Sequence, residues 1–121
     1  MFLKDILKTK RVSIWGTGYL GYTSMVKLQN NGFDILAHDF YHHQFDLFLR
    51  GKYPSKEQVA SWSLTDYLPE LNYQKIKGVR DPKGMFRESL VHIVAIPEPY
   101  KNIAKENMMT RLAKIFAQNL K

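Results

Sequence analysis

The chain has 121 residues, 45% of them hydrophobic and 24% charged, which suffices for one domain with a real core and excludes a disordered chain. It contains no cysteine, so disulfides, thiolate metal sites and cysteine nucleophiles are excluded. The net charge of +7 lies in residues 1–11 and 101–121, while residues 12–100 are neutral; this reads as solvated terminal segments, not as the basic face of a nucleic-acid binder.

Residues 1–8 place Phe2, Leu3, Ile6 and Leu7 at helical spacing, which predicts a short helical appendage over 1–9 packed on a main body of 10–121. The early Asp5 does not suit a secretory signal, and no run approaches the roughly 18–20 apolar residues of a membrane span. The expectation is a cytoplasmic protein with no membrane and no nucleic-acid partner. Residues 11–15, Arg-Val-Ser-Ile-Trp, form a β-rich run that stops at glycine and predict a strand. Residues 20–30 suit a helix through Leu20, Met25, Val26 and Leu28, with Gly32 as a left-handed cap. Residues 33–38, Phe-Asp-Ile-Leu-Ala-His, predict a second strand, apolar as expected when both sheet faces are covered.

A short helix is expected over residues 43–50, burying Phe45, Leu47, Phe48 and Leu49 and closed at Gly51. Two more are expected at 57–61 and 65–71, with Ser63 or Thr65 as N-cap. Residues 76–79 give a weak third strand, and Asp81-Pro82-Lys83-Gly84 a turn. Residues 89–96 are the strongest β run in the chain and end at Pro97. Residues 103–120 predict a long helix with Met108, Met109, Leu112, Ile115, Phe116 and Leu120 on one face. Apolar strands alternating with helices imply an α/β fold with a mainly parallel sheet.

Gly16-Thr17-Gly18-Tyr19-Leu20-Gly21 is a G-x-G-x-x-G placed directly after a predicted strand and at the start of a predicted helix. Asp39 ends the next strand, 23 positions after Gly16, close to the roughly 20 expected for a ribose-binding carboxylate. Each part has a physical task. Gly16 permits the tight turn, Gly18 lets backbone approach a pyrophosphate, and Gly21 lets the helix lie against the strand. The helix N-terminus presents unpaired N–H groups and the positive end of its dipole to phosphates. Asp39 would accept from ribose hydroxyls and repel a 2′-phosphate, and residues 40–46 hold no Arg or Lys to bind one. The pattern predicts a partial Rossmann fold, strand order 3-2-1-4 with helices on both faces, and NAD rather than NADP as cofactor.

Residues 10–39, above all the glycine motif with its Tyr19, resemble the start of the nucleotide-sugar dehydrogenases of the UDP-glucose and GDP-mannose type. The stretch Leu49-Arg50-Gly51-Lys52-Tyr53-Pro54, with Glu57 behind it, is similar to that family's Gly-x-x-Pro. The run Val94-Ala95-Ile96-Pro97-Glu98-Pro99 is similar to the Val-Pro-Thr-Pro that closes its fourth strand. The resemblance implies an N-terminal NAD-binding domain of an enzyme that oxidises a sugar's primary alcohol to a carboxylate through a cysteine thioester. It implies that Gly16, Gly18, Tyr19, Leu20, Gly21 and Asp39 surround the adenine half of NAD, with Pro97, Glu98 and Pro99 bordering it. Glu98 departs from the family's Thr, no cysteine is present, and strands five and six with the sugar domain are expected to be missing. The expectation is therefore a truncated domain, not catalytically complete, that meets a nucleotide sugar only with a missing domain. Two other readings share the glycine motif: a non-catalytic NAD-sensing regulatory module, and a degenerate Rossmann interaction protein.

His38, His42 and His43 around Asp39 invite a metal reading, but no second ligand cluster follows at convergent spacing, and no metal is expected. They are expected to flank the adenine pocket or face solvent. His92 is expected as a hydrogen-bonded core or edge residue, Trp15 as core packing, and Arg80 to Lys83 with Arg87 as a solvated turn. With no fifth strand, the fourth leaves an open apolar edge, which predicts a homo-oligomer or a covering partner.

Overall fold

A computed structural model describes residues 10–62, 70–96 and 108–119. In chain order these form β1 (Arg11–Trp15), α1 (Tyr19–Asn30), β2 (Asp34–His38), α2 (His42–Leu49), α3 (Lys56–Trp62), β3 (Ile76–Gly78), β4 (Val91–Val94) and α4 (Met108–Asn119), with 3-10 turns at Tyr73–Lys75 and Pro82–Phe86. The strands make one sheet in the order β3-β2-β1-β4. Every neighbour is parallel, with Ile14 opposite both Ala37 and Ile93. The expected α/β fold, strand order and two-sided helical cover are all present.

Alternation along the strands sorts the core into two layers, because successive side chains point to opposite faces. Val12, Ile14, Ile35 and Ala37 pack with Tyr22, Met25 and Val26 of α1 and with Phe45 and Phe48 of α2. Trp15 and Leu36 point the other way, into Phe40, Met85 and Leu112, with Phe86, Ile115 and Phe116 at the margin. That second layer is where α4 docks, so the apolar stripe read from the sequence is used through Leu112, Ile115 and Phe116. α1 ends as expected: Gly32, at φ +85, donates its N–H to the Gln29 carbonyl at 3.1 Å.

Three boundaries differ from expectation, each for a local reason. β4 is regular only over Val91–Val94, because its ladder can run no further than β1, which turns away at Gly16; one more bond, from Ala95 N–H to the Trp15 carbonyl, follows at 2.8 Å. The helix expected over 65–71 falls mostly outside the described residues. Its end is not helical: Asn72 donates its N–H to Gln29 Oε1 at 2.8 Å and accepts from Gln29 Nε2 at 3.0 Å, which pins this stretch to α1. The turn at Asp81 extends into the 3-10 segment Pro82–Phe86, capped by the Asp81 carboxylate on Lys83 N–H and anchored by the buried Met85. The segments expected at 1–9 and 103–107 lie outside the described residues.

Candidate functional site at the glycine loop

β1 ends in the middle of the sheet, and the chain must reverse there to start α1. Gly16 makes the reversal at φ +111, a conformation that side chains resist. It is also hemmed in, since a Cβ there would lie 2.4 Å from the Ala95 carbonyl oxygen. At Gly21 a Cβ would lie 1.9 Å from the Gly16 oxygen, so only glycine lets the first turn of α1 sit on the loop. Gly18 is different. Its φ is −75 and a Cβ there would meet nothing within 4 Å, so the fold does not demand glycine at this position.

Gly18 is the N-cap of α1 without a side-chain bond, and the first turn holds no acid. The dipole end and the orphan N–H groups of that turn are therefore left for an anion. Beside it opens a cleft of about 180 Å³ lined by Gly16, Gly18, Asp39, Gln44, Tyr53 and Ile96, among others. Ligand pockets usually hold about 300 Å³ or more; this one suits one end of a dinucleotide rather than the whole.

Asp39 closes the cleft and is almost fully buried, 4% exposed. Its Oδ2 accepts from Thr17 N–H at 2.8 Å, from the Thr17 hydroxyl at 2.6 Å and from Gln44 Nε2 at 3.1 Å. Its Oδ1 accepts from Tyr41 N–H at 2.9 Å. The Thr17 hydroxyl accepts in turn from Gln44 Nε2 at 3.0 Å. The carboxylate thus ties the end of β2 to the glycine loop and to the first turn of α2.

Of the residues singled out in the sequence, Gly16, Gly18 and Asp39 meet on the cleft. Tyr19 and Leu20 are exposed at the start of α1, 46% and 62%, and Gly21 packs beneath the loop. Pro97, Glu98 and Pro99 lie outside the described residues. Thr17, Gln44 and Tyr53 were not singled out; a hydroxyl between the first two glycines and an amide one turn into the helix after Asp39 were the available signals.

The histidines need a correction. His42 and His43 are exposed, but His38 neither flanks the cleft nor faces solvent. It is buried at 2% exposure, pointing with Leu36 into the second layer against the rings of Trp15, Phe40 and Phe45. Its Nδ1 lies 2.7 Å from the Val79 carbonyl, so that nitrogen carries the proton, and Nε2 has no partner among the described residues. Burial holds its pKa below the ordinary 6.5, against the pull of the Val79 carbonyl and Asp39. On the next strand, His92 Nδ1 accepts from Trp15 Nε1 at 3.0 Å, and burial lowers its pKa as well. Trp15 is thus a core residue and His92 a half-buried, hydrogen-bonded residue of the edge strand, both as expected. Arg80 pairs with Asp46 across an exposed surface, and its hydrogen bond holds the Asp46 carboxyl below the usual range.

A parallel strand–glycine loop–helix–strand unit, with an uncapped helix start and a carboxylate at the end of the second strand, defines a Rossmann-type dinucleotide-binding domain. Residues 10–118 match the UDP-glucose/GDP-mannose dehydrogenase family, NAD binding domain. The chain belongs to that family, and it is an NAD-binding domain.

Solved structures that share the fold include two dehydrogenases. A GDP-mannose dehydrogenase from Pseudomonas aeruginosa, described as a ternary complex, superposes with a TM-score of 0.59 at 20% identity, over 90% of this chain and 24% of that one. A UDP-N-acetyl-mannosamine dehydrogenase from Staphylococcus aureus gives 0.55 at 21% identity, over 91% and 25%. The chain therefore spans about a quarter of the length of either enzyme. No curated protein matches it by sequence.

Proposed function

We propose that the chain holds NAD at the glycine loop as part of an oxidoreductase acting on a nucleotide sugar, a UDP- or GDP-linked alcohol taken to the carboxylate. The observation that carries this is Gly18: open space where a Cβ would stand, at an uncapped helix start beside Asp39. The pyrophosphate lies over Gly18 and the first N–H groups of Tyr19 and Leu20. The adenosine ribose faces Asp39, Gly16 and Gly21 shape the turn beneath, and Pro97, Glu98 and Pro99 border the adenine half. Gly16, Gly18 and Asp39 fit the cofactor, which when bound would supply the hydride acceptor; the alcohol and the groups that activate it come from a further domain.

Residues 10–121 act as this single domain, with 1–9 as an appendage, in the cytoplasm. Among the described residues no helix is long and apolar enough to cross a membrane. β4, at the sheet edge with Val94 exposed, is covered by a second copy or a partner. Light scattering that reads a clean monomer at high concentration counts against the second copy.

Calorimetric titration with NAD and NADP tests the cofactor reading. Asp39 and the neutral Gln44 offer a 2′-phosphate repulsion and no cation, so NAD is expected to saturate and NADP to bind at least about tenfold more weakly. Equal affinity for the two, or no binding of either, overturns it.

A further inference from the structure

The loop that follows α2 brings a phenol to the wall of the cleft. α2 closes at Gly51, where φ is +71, and the Lys52 N–H returns to the Leu47 carbonyl at 2.8 Å. Tyr73, edge-on against Phe48 of α2, donates its hydroxyl to the Tyr53 carbonyl at 3.2 Å. Tyr53 is thereby held part-buried against the core layer of α1 and α2, on the cleft beside Gly16, Gly18 and Asp39. It stands at a variable position of the Gly-x-x-Pro stretch, so that pattern does not account for a tyrosine here.

Side-chain donors are scarce in this cleft. The Thr17 hydroxyl donates to Asp39, and the Gln44 amide donates to Asp39 and to Thr17. The Asp39 carboxylate only accepts. Among the described residues the hydrogen bond of Tyr53 runs through its carbonyl, which leaves the phenol hydroxyl unspent, although a part-buried tyrosine usually finds a partner. Burial, and next the charge of Asp39, push this phenol above its ordinary 10.0, so it keeps its proton and can donate at neutral pH. Tyr41, the other phenol on the cleft, is 47% exposed, where water competes for its hydroxyl.

We propose that Tyr53 is a further cofactor-binding residue, whose hydroxyl donates to a phosphate oxygen of the dinucleotide. This rests on the NAD reading above. Phosphate oxygens only accept, which matches a donor that holds its proton. The first turn of α1 starts at Gly18 without a side-chain cap, so it offers the pyrophosphate backbone N–H groups alone. Tyr53 adds a side-chain donor to them, and a neutral one, which binds the anion without pairing with the neighbouring Asp39 carboxylate.

The test is calorimetry with NAD on the wild-type chain, Tyr53→Phe and Tyr41→Phe, joined to urea unfolding and to phosphorus NMR of the bound NAD. Tyr53→Phe removes one oxygen and keeps the ring. It is expected to unfold with the wild type, since the hydroxyl bonds nothing among the described residues. It is expected to bind NAD about tenfold or more weakly, the value of a hydrogen bond to a charged acceptor, and to displace the pyrophosphate resonances of the bound cofactor. Tyr41→Phe is expected to bind as the wild type does. A Tyr53→Phe chain with wild-type affinity overturns the inference, as does a loss that belongs to Tyr41→Phe instead. Unchanged phosphorus resonances put the hydroxyl on the ribose or the base and overturn it too, and an earlier urea midpoint for Tyr53→Phe assigns the phenol to the fold and not to the ligand. Failure of the wild-type chain to bind NAD overturns the cofactor reading, and this inference falls with it.

Discussion

Gly18 and Gly21 stand three residues apart in one motif, and they separate the demands of ligand and fold. A Cβ at Gly21 would lie 1.9 Å from the Gly16 carbonyl oxygen and 2.7 Å from its carbon. Both are backbone atoms, so no side chain can swing aside. Gly→Ala inside a helix ordinarily gains about 0.5–1 kcal/mol. Here α1 has to lift by roughly 1 Å off the loop, and the strain of overpacking reverses the sign, to a loss of about 2–3 kcal/mol or more.

At Gly18 the arithmetic is different. Its φ of −75 suits alanine, and restricting the unfolded chain favours the variant by about 0.4–1 kcal/mol. Alanine is a poorer N-cap by a similar amount. The two nearly cancel, so Gly18→Ala is expected to melt within about 1 kcal/mol of the wild type. Its methyl group, however, projects into the space a pyrophosphate needs, and NAD affinity should fall by a factor of roughly ten or more. Urea unfolding and NAD titration on both variants decide the matter. A Gly18→Ala chain that unfolds, or that binds NAD like the wild type, refutes the assignment of this glycine to the ligand. A Gly21→Ala chain as stable as the wild type refutes the packing argument.

Three further outcomes follow from the same structure. His38 and His92 have folded-state pKa values pushed below 6.5 by burial. The unfolded chain therefore binds more protons below about pH 6.5, and stability that is complete above that pH is lost as the pH falls through the lowered values, by at most about 1.4 kcal/mol per pH unit for each histidine. Urea midpoints between pH 7.5 and 5 measure this, and His92→Gln, which keeps an acceptor for Trp15, should flatten the slope; an unchanged slope contradicts it. Asp39→Ala leaves the buried donors of Thr17 and the Tyr41 N–H without their acceptor and should cost about 2–4 kcal/mol in a urea melt; a loss under about 1 kcal/mol would show the network to be dispensable. Trp15→Phe deletes the bond to His92 and part of a fully buried ring, for about 2–4 kcal/mol by the same assay, and a variant within about 1 kcal/mol of the wild type would contradict that packing.

The sheet order and the loop were legible because they rest on local signals: a strand cut off by Gly16, a helix start, and an acid at the end of the next strand. The environment of Asp39 was not, because a carboxylate at a strand end looks the same in sequence whether its lone pairs are free or taken. Thr17 and Gln44 reach it over 22 and 5 residues, and only the fold sets those distances. His38 could have been placed by period-2 alternation with Leu36, which puts it in the buried layer under α4. Its neighbours His42 and His43 drew the reading toward the surface instead. The ends of β4 were misjudged because its composition stays apolar beyond the point where β1 stops offering partners.

The central claim is that this chain binds NAD over the glycine loop. Mapping amide shifts of the isotope-labelled chain on titration with NAD tests it most directly. The account predicts saturable shifts concentrated at residues 16–21 and 39–41, and smaller ones at the open groove around Leu71 to Gln74. Shifts centred on that groove, or none at millimolar NAD, would contradict it.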